Sequence, residues 1–128
     1  MTTITPAQIL ECWHKSGDRR LLAANEVLFE EGEVGSVVYG LLRGELELRH
    51  AGSVEVIQTG DVLGEEALLF PEHRRFATAV ARTPAEVVFV DRERFLFAIQ
   101  TGAPTLALAI MASLSERLRE QKTSFSNS

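Results

Sequence analysis

The spacing of hydrophobic and polar positions along this chain changes twice, and the changes divide it into three parts. At the start, Ile9, Leu10, Cys12 and Trp13 share a narrow face at helical spacing. Thr5 suits the N-cap of that helix and Pro6 its first helical position; Gly17 stops it just after Ser16. From Arg20 to Val90 the pattern breaks into short apolar or alternating runs. The candidate strands are residues 21–24, 27–29, 37–42, 45–48, 54–57, 77–81 and 87–90. Turn residues separate them at Asn25-Glu26, Gly32 to Gly35, Arg43-Gly44, Ala51-Gly52, Gly60-Asp61 and Thr83-Pro84. Strands recurring at intervals of about 8–12 residues predict a sandwich or barrel. Alternation is strict in Glu45-Leu46-Glu47-Leu48-Arg49, which puts one face in water and the other inward. Val54-Glu55-Val56 repeats the pattern after a turn. A hairpin is therefore expected, with Leu46, Leu48, Val54 and Val56 lining an interior.

From Asp91 the period returns to helical. Residues 91–100 form one helical segment, stopped by Thr101-Gly102, and Pro104 opens a longer helix that runs to about Lys122. Leu106, Ile110, Leu114 and Leu118 repeat at i+4 along it, flanked by Ala107 and Met111. That stripe suits packing on the barrel or pairing with a second copy in a homodimer. Arg117, Arg119 and Lys122 occupy the last turns, where cations complement the helix dipole. Residues 123–128 read as a polar tail. The fold class is mainly β with flanking helices: a short N-terminal helix over 1–17, an antiparallel β-roll or jelly-roll barrel over 18–90, and C-terminal helices over 91–122. Residues 1–128 make a single domain.

Composition narrows the function. With 45% hydrophobic and 24% charged residues the chain has ordinary globular composition. Its 13 Lys+Arg against 18 Asp+Glu give a formal charge of -5, which argues against the broad basic face of a nucleic-acid binder. Cys12 is the single cysteine, so there is no disulfide framework and no paired-cysteine metal motif. The longest apolar run, residues 106–112, is far short of the ~18 residues of a membrane span. Residues 1–10 lack a basic n-region, so no secretory leader is expected. These readings predict a cytoplasmic domain with no membrane or nucleic-acid partner. Catalysis finds no support. His14, His50 and His73 are scattered without metal-ligand spacing, G-x-S-x-G is absent, and the adjacent Glu65 and Glu66 make a poor acid–base pair. The chain is read as neither an enzyme nor the holder of a metal or resident cofactor.

The informative stretch is residues 60–81, GDVLGEEALLFPEHRRFATAVA. Gly64 lets backbone approach a ligand with no Cβ in the way, and Glu65, Glu66, Ala67, Leu68 and Leu69 are good helix formers. Pro71 limits that helix to little more than one turn. Such a turn offers N–H groups at its start, which suits an anion. Five helical residues rise about 7.5 Å. After the Pro71 turn, two or three extended residues of roughly 3.3 Å each bring the chain back. Glu65 and Arg75 are thus expected to face one small cavity. The arginine fork suits a phosphate, and the carboxylate suits ligand hydroxyls.

Gly60-Asp61, Leu63-Gly64-Glu65, Ala67-Leu68, Arg75 and Ala77 together resemble the phosphate-binding cassette of cyclic nucleotide-binding domains. Glu31-Gly32-Glu33, Leu42-Arg43-Gly44 and Glu86-Val87 resemble that family's turns and last strand, so the resemblance covers roughly residues 18–119. It implies that Glu65 accepts the ribose 2′-hydroxyl and that Arg75 binds the cyclic phosphate. Backbone N–H groups of Gly64, Glu65, Glu66 and Ala67 would complete the cradle, and Leu48 and Val54 would flank the base. Phe76 stands where activator-type members often carry a hydroxyl; the missing donor is worth about 0.5–1.5 kcal/mol. Phe76 suits packing, yet as a cassette residue it also borders the ligand and narrows the site. Gln121 and Lys122 fall near where activator-type proteins place hydroxyls that cap adenine. The function implied is a stand-alone sensor of cyclic AMP or a related cyclic nucleotide, signalling through its C-terminal helices to a protein effector. The alternative is a degenerate domain of the same fold that dimerises or binds proteins without nucleotide. A further alternative is the sensor half of a DNA-binding regulator, were the native chain to continue past Ser128.

Overall fold

In this computed structural model the described residues are Thr5, Ala7 and 18–101. The predicted N-terminal helix beyond those two residues, and the predicted helix over 104–122 with its Leu106–Ile110–Leu114–Leu118 stripe, lie outside them. The strands are β1 (Arg19–Leu22), β2 (Val27–Phe29), β3 (Val37–Arg43), β4 (Leu46–His50), β5 (Ser53–Ile57), β6 (Val62–Leu63), β7 (Thr78–Ala81) and β8 (Ala85–Asp91). Two helices accompany them, α1 (Glu66–Leu69) and α2 (Arg92–Thr101). The strands form two four-stranded antiparallel sheets, ordered β1-β8-β3-β6 and β2-β7-β4-β5. This is the β-roll the run spacing predicts.

One apolar cluster fills the space between the sheets. Leu22, Leu41, Leu63, Ala85 and Val87 of the first sheet meet Leu28, Phe29, Leu46, Ile57, Ala79 and Ala81 of the second there, with Tyr39 and Leu48 at its edge. The opposite face of β3 and β8 is also covered: Val38, Val88 and Val90 are buried, as are Phe95 of α2 and Ala7. A strand buried on both faces reads as a continuous apolar run, which is why 87–90 shows no alternation. At Gly40 a Cβ would lie 2.9 Å from the Ala7 backbone, so only glycine lets that segment sit flat on the sheet. The Ala7 N–H donates to Gly60 O at 3.0 Å.

Three local expectations shift. The first strand is Arg19–Leu22 rather than 21–24, because a turn claims the later residues. Asn25 adopts φ +72°, Glu26 N–H donates to Ala23 O, and the Glu26 carboxylate accepts the Ala23 N–H. Strand β6 was not anticipated, since two residues are too few to show alternation; its pairing of Tyr39 with Leu63 and Gly40 with Val62 defines it.

The third shift corrects the hairpin. Ala51 (φ +49°) and Gly52 (φ +82°) form a two-residue turn that pairs His50 with Ser53. Leu48 therefore lies across from Glu55 and Leu46 across from Ile57, while Val54 faces Arg49 and Val56 faces Glu47. Directly paired residues share a face. Leu46, Leu48, Glu55 and Ile57 point inward, and Val54 and Val56 lie outside with Glu47 and Arg49. Val54 is 57% exposed, whereas Leu46 and Ile57 are sealed. Alternation within each strand was read correctly, but the tight turn joins even positions of β4 to odd positions of β5.

This register separates two substitutions. Leu46→Ala should lower unfolding free energy by about 2–5 kcal/mol. Val54→Thr should stay within about 0.5 kcal/mol of the parent. Urea denaturation of both variants measures the difference; comparable losses at the two positions would refute the register.

Candidate functional site

The stretch from β6 to β7 builds the site by a short helix and a return. Gly64 follows β6 with φ +83°, Glu65 takes helical angles at the N-cap position, and α1 runs only to Leu69. Phe70 is extended (φ -107°, ψ 145°), which suits the residue before Pro71. The chain then turns through His73, whose N–H donates to Phe70 O at 3.1 Å and whose φ is +55°.

On the return, residues 73–75 lie beside 32–35. Gly35 N–H donates to His73 O (2.7 Å), Arg75 N–H to Glu33 O (2.8 Å), and Gly32 N–H to Arg75 O (2.8 Å). Val34 and Arg74 form an isolated antiparallel bridge between these segments. This pairing fixes the backbone of Arg75 and sends its side chain inward.

The guanidinium is 4% exposed. Its Nη1 donates to Gly64 O at 2.8 Å and its Nη2 to Val37 O at 3.0 Å. The Phe29 ring lies 4.5 Å from its central carbon and the Tyr39 ring 5.5 Å. Among the described residues Arg75 forms no ion pair. Among the described residues its charge is therefore met by carbonyl dipoles and ring faces. Burying a cation costs several kcal/mol or more even after relaxation, so a second, anionic partner would be strongly favoured here. Tyr39 registers the same charge: burial pushes its phenol above the usual range, and Arg75 pulls it part of the way back.

The other expected site residues are placed as follows. Glu65 is buried beside Gly64, with 7% exposure, so the Arg75–Gly64 bond brings both expected poles into one neighbourhood. Ala67 is sealed, and its N–H makes a long 3.3 Å bond to Gly64 O. The Leu68 N–H donates to Glu65 O at 2.9 Å. The start of the turn at Gly64, Glu65 and Glu66 is thus the part best placed to face an anion. The Glu66 carboxylate accepts the Phe76 N–H at 3.4 Å, tying the helix to the returning strand.

Phe76 is not part of the core. It is 52% exposed, and its ring lies on Phe70 with centroids 5.3 Å apart. Leu48 faces inward at the edge of the core. Val54 does not join it; the hairpin register puts that side chain on the outer face, away from the interior where a base is expected.

Sequence reading missed four contributors: Phe29, Gly35, Val37 and Tyr39. At Gly35 a Cβ would lie 2.6 Å from Arg75 Nη2, so this glycine supplies the space the guanidinium fills. It had looked like one more turn residue. Val37 acts through its carbonyl, which no side-chain pattern reveals. The aromatic pair carried a faint signal, as each ring falls on the inner face of a strand.

Comparison with known proteins agrees with this geometry. A family model described as the cyclic nucleotide-binding domain matches residues 19–101, which include every strand and both helices described above. The chain is 33% identical over 108 residues to the cyclic AMP receptor protein of Thermus thermophilus, covering 80% of this chain and 49% of that protein. It is 29% identical over 99 residues to the cGMP-dependent protein kinase of Plasmodium berghei, covering 77% of this chain and 11% of that one. Among solved structures, the c-di-GMP-responsive global regulator CLP of Xanthomonas campestris superposes with a TM-score of 0.79 at 21% identity. That match covers 94% of this chain and 62% of the regulator and speaks to the fold alone. The chain thus spans 49% of the length of the first relative and 11% of the second. Cassette, roll and family match converge: the chain belongs to the cyclic nucleotide-binding domain family.

Proposed function

We propose that this chain is a sensor of a purine 3′,5′-cyclic nucleotide, and that it acts by binding rather than by catalysis. The observation that carries the proposal is the buried Arg75, whose charge is met, among the described residues, by the Gly64 and Val37 carbonyls and two rings. Two of the five guanidinium N–H donors are spent on carbonyls, leaving three for a phosphate. The cyclic phosphodiester would sit between Arg75 and the start of α1, with its ribose hydroxyl on Glu65 and its base along Leu48. A single buried cation balances a monoanion. A phosphomonoester dianion would leave one charge uncompensated in the same space, which favours the cyclic ester.

Two named relatives support the ligand class. One is a cyclic AMP receptor protein and the other a cGMP-dependent kinase, so the base itself stays open between adenine and guanine. The nucleotide-independent alternative drew on Phe76 crowding the site. The Phe76 ring is half exposed and lies against Phe70, which weakens that argument.

Output would run through the end of α1. His73 Nδ1 contacts Ala67 O at 2.8 Å, and Arg92, the first residue of α2, donates to Leu68 O at 3.5 Å. A ligand that shifts α1 would therefore load α2 directly. It can move that equilibrium only by its differential affinity for the two arrangements. A protein effector or a second copy would read the change. Among the described residues no helix is long and apolar enough to cross a membrane.

Thermal unfolding with cyclic AMP, cyclic GMP, cyclic dinucleotides and 5′-AMP tests the assignment. At 100 times Kd a ligand adds about 2.7 kcal/mol. For a domain of this size that raises Tm by on the order of 5–15 °C. The rise is expected with a cyclic mononucleotide, not with 5′-AMP, and should vanish in Arg75→Leu. No rise with any cyclic nucleotide at millimolar concentration would refute the sensor role. An undiminished rise in Arg75→Leu would refute the site.

Gly35→Ala is expected to weaken cyclic nucleotide binding by at least about tenfold, since a charge-assisted hydrogen bond is worth about 1.5–3 kcal/mol. The added methyl displaces the guanidinium from its two carbonyls. Isothermal titration of the variant measures the loss, and unchanged affinity would contradict the tight packing of Arg75 on Gly35.

A further inference from the structure

We propose that Phe29 and Tyr39 are positioning residues for Arg75, a two-ring clamp that sets the tilt of its guanidinium and makes a planar cation obligatory at this position. The inference deepens the reading of Arg75 as the ligand for the phosphate and rests on it.

The restraints on Arg75 fall into two independent kinds. The bonds from Nη1 to Gly64 O and from Nη2 to Val37 O act within the guanidinium plane, at opposite corners of its terminal fork. In-plane bonds leave the group free to rock about the line that joins them. The rings act from outside that pair of bonds, with centroids at 4.5 Å and 5.5 Å from the central carbon, within reach of a cation–π contact. They are themselves fixed. Phe29 is buried, Phe29 and Tyr39 are stacked with centroids 5.8 Å apart and planes 28° apart, and Tyr39 meets the edge of Phe89 at 6.2 Å. Gly35 closes the remaining side, so the cation lies in a socket of backbone, glycine and ring.

Bidentate recognition of a phosphate needs both donors aimed together, and an error in tilt costs one of the two bonds. The clamp supplies that aim before any ligand arrives. A lysine would satisfy neither restraint, because its ammonium has no plane and no fork.

The test uses the whole chain in four forms: parent, Tyr39→Phe, Tyr39→Leu and Phe29→Leu. Cyclic AMP and cyclic GMP affinities are measured by calorimetric titration. The Arg75 Nε–H resonance is followed by NMR without ligand. Tyr39→Phe keeps the ring face and should retain most of the affinity; Tyr39→Leu and Phe29→Leu should lose about ten- to thirtyfold, the size of a desolvated cation–π contact. In the parent and in Tyr39→Phe the Nε–H signal should be ring-shifted and slow to exchange with water. In the leucine variants it should move towards the position of a solvated arginine.

Equal affinity in Tyr39→Leu, with the signal unmoved, would overturn the clamp. Equal losses in Tyr39→Phe and Tyr39→Leu would also overturn it, since the hydroxyl and not the ring would then matter. If the parent binds neither nucleotide, the sensor reading fails by itself. The NMR comparison still decides the clamp, because it needs no ligand and is read only in variants that retain the parent's dispersed amide spectrum.

Discussion

A buried arginine that meets no carboxylate among the described residues organises this domain. Arg75 is held by two peptide carbonyls and two ring faces, drawn from three separate parts of the roll. Gly64 belongs to the cassette, Val37 begins β3, Phe29 ends β2 and Tyr39 lies within β3. The guanidinium therefore joins the helical excursion to both sheets. Any anion that takes up its remaining donors acts on this junction rather than on a peripheral loop.

The sheets exist, in functional terms, to put that junction where water is scarce. Their shared core seals Leu41, Leu46, Ile57 and Leu63, and the low polarity around them strengthens each electrostatic contact at its edge. The return segment 73–75 is registered against 32–35 by three backbone hydrogen bonds and so cannot slide without moving Arg75. Downstream, His73 and Arg92 reach carbonyls of α1, so the short helix is tied to the entry of α2. Gly64, which bonds Arg75, and that entry contact lie at the two ends of a four-residue helix.

Much of the site was legible because it is contiguous. Gly64, Glu65 and Arg75 fall within twelve consecutive residues, and a glycine, a one-turn helix and a returning arginine need only local geometry to be understood. The supporting groups were not legible for the opposite reason. Gly35 is forty residues from Arg75, and its role is to lack a side chain at a point of contact that only folding creates. Val37 contributes a carbonyl that every residue type possesses. Phe76, conspicuous in the sequence as a departure from the hydroxyl of activator-type domains, is half exposed and lies against Phe70, a contact that only the return after Pro71 creates.

Periodicity, turn residues and the cassette determined a β-roll with helical ends and a short helix poised to meet an arginine, because these depend on neighbours a few residues apart. Pairing between strands decided the rest. Whether Val54 faces inward depends on a two-residue turn that shifts its partner from Leu48 to Arg49, and single-strand alternation carries no information about that offset. What Arg75 touches depends on β2, β3 and the 32–35 segment arriving together, and long-range packing alone sets their spacing. The sequence named the cation. Only the tertiary structure showed that, among the described residues, the groups it touches are neutral carbonyls and rings, because those groups come from segments far apart in the chain.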